Sequence, residues 1–261
     1  MYFLSILGLS VERFASVLYK KLLPAKKLQA RLRRYYRYWV LFEFLFDKTT
    51  KEVRKKDTFM TTPGRYNIFH GKASANFLFQ LWTKEFIEMF SHYLLASVTD
   101  KNACILDVGA GNGALTHWLR KKGMNVIAVD NKSWLKRLER PEIAHRLKFN
   151  ILPFPDWVLD MDFKKAIDIY QPEIIISSWM PSQDDWSYDF RACPSVKEYI
   201  LIGEPAVDNY LDKCGEKETW QEHRGWTRTN LKDLDEVSLS WLDVIPECKG
   251  RKSIIVSYKR T

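Results

Sequence analysis

The stretch CILDVGAGNGALTHWL, residues 104–119, decides the fold of this chain. Its first residues, CILDV, form a continuous apolar run, which is typical of a parallel strand covered on both faces. Gly109, Gly111 and Gly113 follow at every second position, and ALTHWLRKKG then has the pattern of a helix ending at Gly123. Glycine in such a turn allows positive φ angles and close approach of the backbone to a ligand, which the free N–H groups of the helix N-terminus face. The stretch therefore predicts a nucleotide-type binding site between a strand and a helix.

Short apolar runs alternate with helical segments along the rest of the chain, which predicts a doubly wound α/β sheet. The further strands are predicted at NVIAVD (125–130), EIIISSWM (173–180), EYILIGE (198–204), EVSLSWLDV (236–244) and SIIVSYKR (253–260). The region 131–172 should supply one more strand. Before the sheet, the run at 75–98 predicts a long, mostly buried helix.

Two acidic residues sharpen the interpretation of the glycine turn. Asp107 lies two residues before the first glycine, where a dinucleotide site usually has an apolar strand residue. A carboxylate there would repel a pyrophosphate but would suit a ligand that carries an ammonium group and a sulfonium. Asp130 ends the next strand, where it can accept hydrogen bonds from ribose hydroxyls. The alternative for Asp107 is a strand-end carboxylate that caps amides of the turn.

Asp107, the three glycines and Asp130 together resemble the class I S-adenosylmethionine (SAM)-dependent methyltransferase superfamily, whose first motif reads acidic-x-Gly-x-Gly-x-Gly. The resemblance covers residues 102–261 in strand order and is specific at 105–113 and 126–130. It implies a seven-stranded, mostly parallel sheet whose last strand is antiparallel. The closing pair would be residues 236–244 and 252–260.

The resemblance also implies where the cofactor SAM would bind. Asp107 and the glycines would surround its methionine part, and Asp130 would hold its ribose. The adenine contact is expected from Asp162 and Phe163, with Asp160 and Asn150 as alternatives. The implied cofactor-binding set is Asp107, Gly109, Ala110, Gly111, Gly113, Asp130, Asn131, Asp162, Phe163 and Ser178.

Candidate catalytic residues follow the fourth and fifth strands, at the sheet edge where open α/β sheets bind substrates. Methyltransferases that act on exocyclic or amide nitrogens carry an Asn/Asp-Pro-Pro-aromatic motif there, whereas this chain has SWMP at 178–181. Trp179 and Trp186 could form an aromatic wall, Asp184 or Asp185 could take a proton, and Glu204 ends the fifth strand. The alternative is a loop anchored by tryptophan with solvated aspartates.

Three function classes are open at this point. The first is a methyltransferase that aligns an unknown acceptor for in-line displacement at the sulfonium, where positioning alone contributes about 7–11 kcal/mol. The second is a non-catalytic SAM-fold protein that acts as a binding or scaffold partner. The third, an NAD(P)-dependent oxidoreductase, uses the same glycine turn but fits poorly with Asp107.

The positive charge of the chain is concentrated at its N-terminus. Residues 1–56 carry 14 Lys/Arg and 4 Asp/Glu, whereas the whole chain has a net charge of +9. We therefore predict a basic helical extension and connector at 1–100 and a SAM-binding domain at 101–261. The extension could dock on the domain, contact a polyanion such as RNA, lie on an anionic membrane surface or act as an organelle presequence.

The cysteines and histidines give no metal-binding pattern. The four cysteines are far apart, with no CxxC pair, which favours a reducing, cytoplasmic compartment over a disulfide scaffold. The five histidines lack metal-ligand spacing, so we expect no metal. The longest apolar run, at 38–46, is interrupted by Glu43 and is too short to span a bilayer, although membrane association through the basic extension stays open.

Overall fold

The computed structural model describes residues 79–133, 154–206, 213–240, 242 and 250–261. The proposed basic extension at 1–56 and the adenine candidate Asn150 lie outside these residues, so both stay predictions. The strands are β1 (Gln80–Leu81), β2 (Ile105–Val108), β3 (Val126–Val129), β4 (Ile174–Ser178), β5 (Glu198–Gly203), β6 (Trp226–Asn230), β7 (Leu239–Ser240) and β8 (Ile254–Arg260). The helices are α1 (Lys84–Ser97), α2 (Ala114–Lys121), α3 (Phe163–Tyr170), α4 (Ser187–Ala192) and α5 (Lys232–Val237).

Six of these strands form one sheet in the order β3-β2-β4-β5-β8-β6. The first four in this order are parallel, and β8 runs antiparallel to both of its neighbours. The predicted doubly wound α/β sheet with an antiparallel last strand is therefore confirmed. A parallel bridge between Leu159 and Val129 lies on the outer side of β3, where the seventh strand was expected. The strand order reverses at β2, which opens a crevice at its carboxyl end.

The prediction that residues 236–244 form the strand beside β8 is wrong. Residues 232–237 form α5, and the two-residue β7 pairs with β1 rather than with the main sheet. The neighbour of β8 is instead β6, whose residues Thr227, Thr229 and Asn230 are exposed. An edge strand with exposed polar residues lacks the apolar run by which the other strands were predicted.

Helices cover both faces of the sheet and bury two apolar layers. On one face, α1 packs with α2 and α5 through Phe86, Phe90 and Leu94, which are fully buried and recur every four residues. On the other face, α3 and α4 pack against Tyr199 and Tyr258, whose rings stack at 4.6 Å. These layers fix the direction of β2 and β4, whose carboxyl ends carry the site described below.

Helix α1 begins later than the sequence predicted. The Thr83 hydroxyl oxygen accepts a hydrogen bond from the backbone N–H of Phe86 and so caps the helix. Residues 80–81, expected to be helical, are extended because they pair with Leu239 and Ser240. Residues 79–98 thus pack with the sheet, while the division of the chain at residue 100 stays a prediction.

A buried carboxylate fastens α1 to the sheet at the end opposite the glycine turn. Glu198 starts β5 and accepts hydrogen bonds from the hydroxyls of Tyr93 on α1 and Ser257 on β8. The ammonium group of Lys259 lies 3.6 Å from its other oxygen. Among the described residues, no helix has the length and apolar character that crossing a membrane requires.

Candidate functional site

The glycine turn lies where the sequence placed it, between β2 and α2. Gly109, Gly111 and Gly113 have φ angles of 65°, 56° and 70°, which residues with a Cβ rarely adopt. Gly113 is the N-cap of α2, and the Asn112 side-chain oxygen accepts a hydrogen bond from the N–H of Ala114. The turn therefore needs glycine for its backbone conformation alone, before any ligand is considered.

The three glycines differ in what surrounds them. A Cβ on Gly113 would lie 2.4 Å from the ring of Trp157, and a Cβ on Gly109 would lie 3.0 Å from the ring of Trp186. A Cβ on Gly111 would meet no atom within 4 Å. Gly113 therefore makes room for the chain's own core, whereas Gly111 presents open backbone to the cavity that it lines.

Asp107 is a buried carboxylate at the floor of this cavity. It is 1% exposed, and the Thr116 hydroxyl donates a hydrogen bond to its Oδ2 at 2.7 Å. Burial raises its pKa to about 7 from 3.8, and the neighbouring negative charge of Asp130 acts in the same direction. A cationic group in the cavity would restore the charged form, because an opposite charge nearby favours ionisation.

Asp130 lies at the end of β3 and faces the glycine turn. Its Oδ2 accepts a hydrogen bond from the N–H of Gly111 at 2.8 Å, and its Oδ1 accepts one from the N–H of Lys132 at 2.7 Å. Burial raises its pKa, while these two amides act in the opposite direction. A carboxylate offers about four lone-pair positions, so Asp130 can accept further hydrogen bonds from a ligand.

The structure separates the candidates for the adenine contact. Phe163 lines the cavity and stacks on Trp186 with ring centroids 4.8 Å apart. Asp162 instead caps α3 through the N–H of Lys164 and accepts a weak contact from the Asn131 side chain at 3.4 Å. Asp160 does not line the cavity, and its carboxylate forms an ion pair with Lys132 at 3.0 Å.

An aromatic group forms the other side of the cavity. Trp179, directly after β4, has a φ of 59°, a strained conformation for a residue with a Cβ. Its ring stacks on Phe79 at 5.3 Å, and its Nε1 donates a hydrogen bond to the Gln80 side-chain oxygen at 3.0 Å. Ser178 and Trp186, both singled out from the sequence, also line this cavity.

The three carboxylates proposed for catalysis do not line the cavity. Glu204 forms a two-point ion pair with Arg251, whose Nε lies 2.7 Å from Oε1. Asp185 accepts a hydrogen bond from the N–H of Ser187 at 3.0 Å, at the start of α4. The backbone N–H of Asp184 donates to the carbonyl of Pro181 at 3.3 Å, within the same loop. The structure thus brings Trp179 to the site and leaves Asp184, Asp185 and Glu204 outside it.

Several cavity residues were not identified from the sequence. They are Phe79, Gln80, Trp82, Asn112, Leu115, Val129, Ser133, Phe154 and Met161. Most come from segments far from the glycine turn in sequence, and no local pattern marks them.

The cavity volume is about 270 Å³, just below the usual 300–1,000 Å³ range of small-molecule sites. In the part of the chain that the structure describes, no group of His, Cys, Asp or Glu could hold a metal ion.

The parallel strands and the antiparallel last strand of the sheet are the arrangement that the resemblance to class I SAM-dependent methyltransferases implied. Solved structures to which the chain is similar, at low identity, include three methyltransferases. One is a magnesium protoporphyrin IX methyltransferase from Synechocystis PCC 6803 (12% identity, 68% of this chain and 82% of that chain, TM-score 0.38). A second is the 23S rRNA methyltransferase ErmE (13% identity, 67% and 68%, TM-score 0.36). A third is a SAM-dependent methyltransferase from Agrobacterium tumefaciens (13% identity, 67% and 62%, TM-score 0.34). No family model and no curated protein matches the sequence.

Proposed function

We propose that this chain binds SAM in the cavity and transfers its methyl group to an acceptor. One observation carries the proposal: Asp107 and Asp130 flank the open backbone of Gly111 in a single cavity. A pyrophosphate would meet two carboxylates there, whereas a ligand with an ammonium group, a sulfonium and ribose hydroxyls complements them. This arrangement disfavours the oxidoreductase alternative.

Each of the three groups has a distinct part in binding the cofactor. The carboxylate of Asp107, oriented by Thr116, provides negative charge for the cationic methionine part. Asp130 is held in place by the N–H groups of Gly111 and Lys132 and accepts hydrogen bonds from ribose hydroxyls. Phe163 offers an apolar ring face to the adenine.

The chemistry follows from alignment rather than from a fixed set of catalytic side chains. Bound SAM supplies a methyl group that its sulfonium has already activated. The nucleophilic atom of the acceptor forms the new bond to the methyl carbon as the carbon–sulfur bond breaks, and the proton of the acceptor passes to solvent. The protein holds donor and acceptor in line, which accounts for about 7–11 kcal/mol in well-oriented reactions.

A non-catalytic SAM-binding protein is the second candidate. One observation favours it: Asp184, Asp185 and Glu204 lie outside the cavity, so none of these three can act as a base there. An acceptor that needs no base is equally consistent with this arrangement, since a general base matters only for a hydroxyl or a protonated amine.

Calorimetric titration with SAM, S-adenosylhomocysteine (SAH) and NADH tests the proposal. We expect micromolar binding of the first two and none of NADH. Asp130→Ala should weaken SAM binding by at least tenfold, about 1.4 kcal/mol. The matched control is Asp168→Ala, an exposed residue of α3 outside the cavity. Binding of NADH, or unchanged SAM affinity in folded Asp130→Ala, would contradict the proposal.

A further inference from the structure

The cavity has two chemically different halves. The polar half contains Asp107, Gly111 and Asp130, which the proposed function assigns to the methyl donor. Four other lining residues, Phe79, Trp82, Trp179 and Pro181, are apolar, and we call them the apolar wall. Because both halves belong to one cavity, a molecule on the apolar wall would lie beside the donor.

The main surface of the apolar wall is held in a fixed orientation. The backbone N–H of Trp179 donates to the carbonyl of Ile202 at 2.7 Å, and its indole N–H donates to Gln80. The Gln80 side chain in turn donates to the Ser238 hydroxyl at 2.6 Å. Phe79 stacks on the indole ring with the two planes 27° apart. Because these contacts already hold the indole ring in place, the ring loses little conformational freedom when a flat molecule binds to it.

The charges of the cavity also restrict what it can bind. Among the described residues that line it, the ionisable ones are Asp107 and Asp130, both carboxylic acids, and none is lysine or arginine. A phosphate or carboxylate on the acceptor would therefore meet repulsion from these two carboxylates and no cationic side chain among the described lining residues. The apolar wall instead suits uncharged rings, which aromatic side chains bind by stacking.

We propose that the apolar wall binds the methyl acceptor as a flat, uncharged aromatic ring system stacked on Trp179. This inference rests on the proposed function for the identity of the donor. On transfer, a neutral nitrogen of the ring system, which needs no general base, forms the bond to the methyl carbon. The electrons of the broken carbon–sulfur bond stay on sulfur, which yields SAH, and the proton of the heteroatom passes to water.

Three probes of similar size separate planarity from charge. They are 2-naphthol, its saturated and non-planar counterpart decahydro-2-naphthol, and the anionic 6-hydroxy-2-naphthoate. Each is titrated into the full chain by calorimetry, with and without saturating SAH. We expect 2-naphthol to bind about tenfold more tightly than either of the others, because stacking needs a flat ring and the cavity repels anions.

Variants locate the binding to the apolar wall. Trp179→Leu and Phe79→Leu keep an apolar side chain but remove the flat ring, and each should weaken 2-naphthol binding about fivefold or more. The control is Tyr188→Leu, an aromatic residue that is 68% exposed and lies outside the cavity. Phe79 is 39% exposed, so its variant remains informative if Trp179→Leu fails to fold.

The outcomes distinguish this inference from the proposed function. Equal binding of 2-naphthol and its saturated counterpart, tighter binding of the naphthoate, or unchanged binding in both leucine variants would overturn the aromatic-ring site. Failure of SAH to bind, with the preference for 2-naphthol intact, would overturn the proposed function while supporting a ring-binding site on the wall.

Discussion

Asp107→Asn should make the stability of the protein less dependent on pH. Asparagine has nearly the same shape and can still accept the hydrogen bond from Thr116, but it carries no titrating proton. In the folded protein, burial raises the pKa of Asp107 to about 7, whereas its ordinary value is 3.8. Between these values the folded state binds more protons than the unfolded state, so the free energy of unfolding falls as pH rises.

The size of this effect follows from the two pKa values. One pKa unit corresponds to about 1.4 kcal/mol, so the whole interval corresponds to about 4 kcal/mol. Only part of the interval lies within a practical range of pH. Between pH 5 and pH 8, Asp107 should lower the free energy of unfolding by about 2–3 kcal/mol. The loss should level off above pH 8, where Asp107 is ionised in both states.

Urea denaturation followed by circular dichroism, at pH 5 and pH 8, measures the difference. The wild type should lose about 2–3 kcal/mol more stability between pH 5 and pH 8 than Asp107→Asn does. Asp168→Asn, on the exposed side of α3, should retain the full decrease. If wild type and Asp107→Asn lose stability in parallel between the two pH values, Asp107 does not titrate in this window and the reasoning from burial is refuted.

Three further changes test packing and buried polar contacts in the domain. Gly113→Ala should lower the free energy of unfolding by about 2–4 kcal/mol, because the new Cβ would meet Trp157 and the φ angle is positive. The control Gly123→Ala also has a positive φ but open space around it, and it should cost about 1 kcal/mol. Equal losses in urea denaturation would contradict the steric explanation. Glu204→Gln should cost about 1–3 kcal/mol, because its ion pair with Arg251 is lost. Its SAH affinity should stay within twofold in calorimetry, and a tenfold loss would place Glu204 in the binding site instead. Tyr93→Phe should cost about 1–2 kcal/mol in thermal or urea unfolding, because Glu198 loses a buried donor, and an unchanged stability would show that Ser257 and Lys259 suffice.

The sequence predicted those parts of the fold whose signals are local. Strands β2, β3, β4, β5 and β8 are apolar runs bounded by turn residues, and each was predicted within a few residues of its observed limits. Strand β6 was missed because its exposed threonines give an edge strand no apolar pattern. Residues 236–244 were misinterpreted because the apolar residues of α5 and β7 together imitate a strand.

Some parts of the candidate site could likewise be predicted from local sequence signals, and others could not. The turn from Asp107 to Gly113 and the position of Asp130 could be predicted, because strand, turn and helix are continuous in sequence. Gln80 could not, since it pairs with Ser240, 160 positions later, and neither could Phe79, which joins the cavity by stacking on Trp179, 100 positions later. The ion pair of Glu204 with Arg251 is equally non-local, and it removes from the cavity a carboxylate that strand position alone had suggested.

Gln80 forms hydrogen bonds with residues far later in the sequence, and this separation limits the order in which the site can form during synthesis. Its side chain meets Ser238, 158 positions later, and Ser253, 173 positions later. At about 5–20 residues per second, translation needs about 8–30 s to cover the first of these distances. The glycine turn can fold against β3 well before then, whereas Gln80, which holds the Trp179 indole, has its own partners Ser238 and Ser253 only once those residues have been made. The apolar wall is therefore completed after the glycine turn, and a nascent chain stalled before residue 238 lacks the Gln80–Ser238 hydrogen bond.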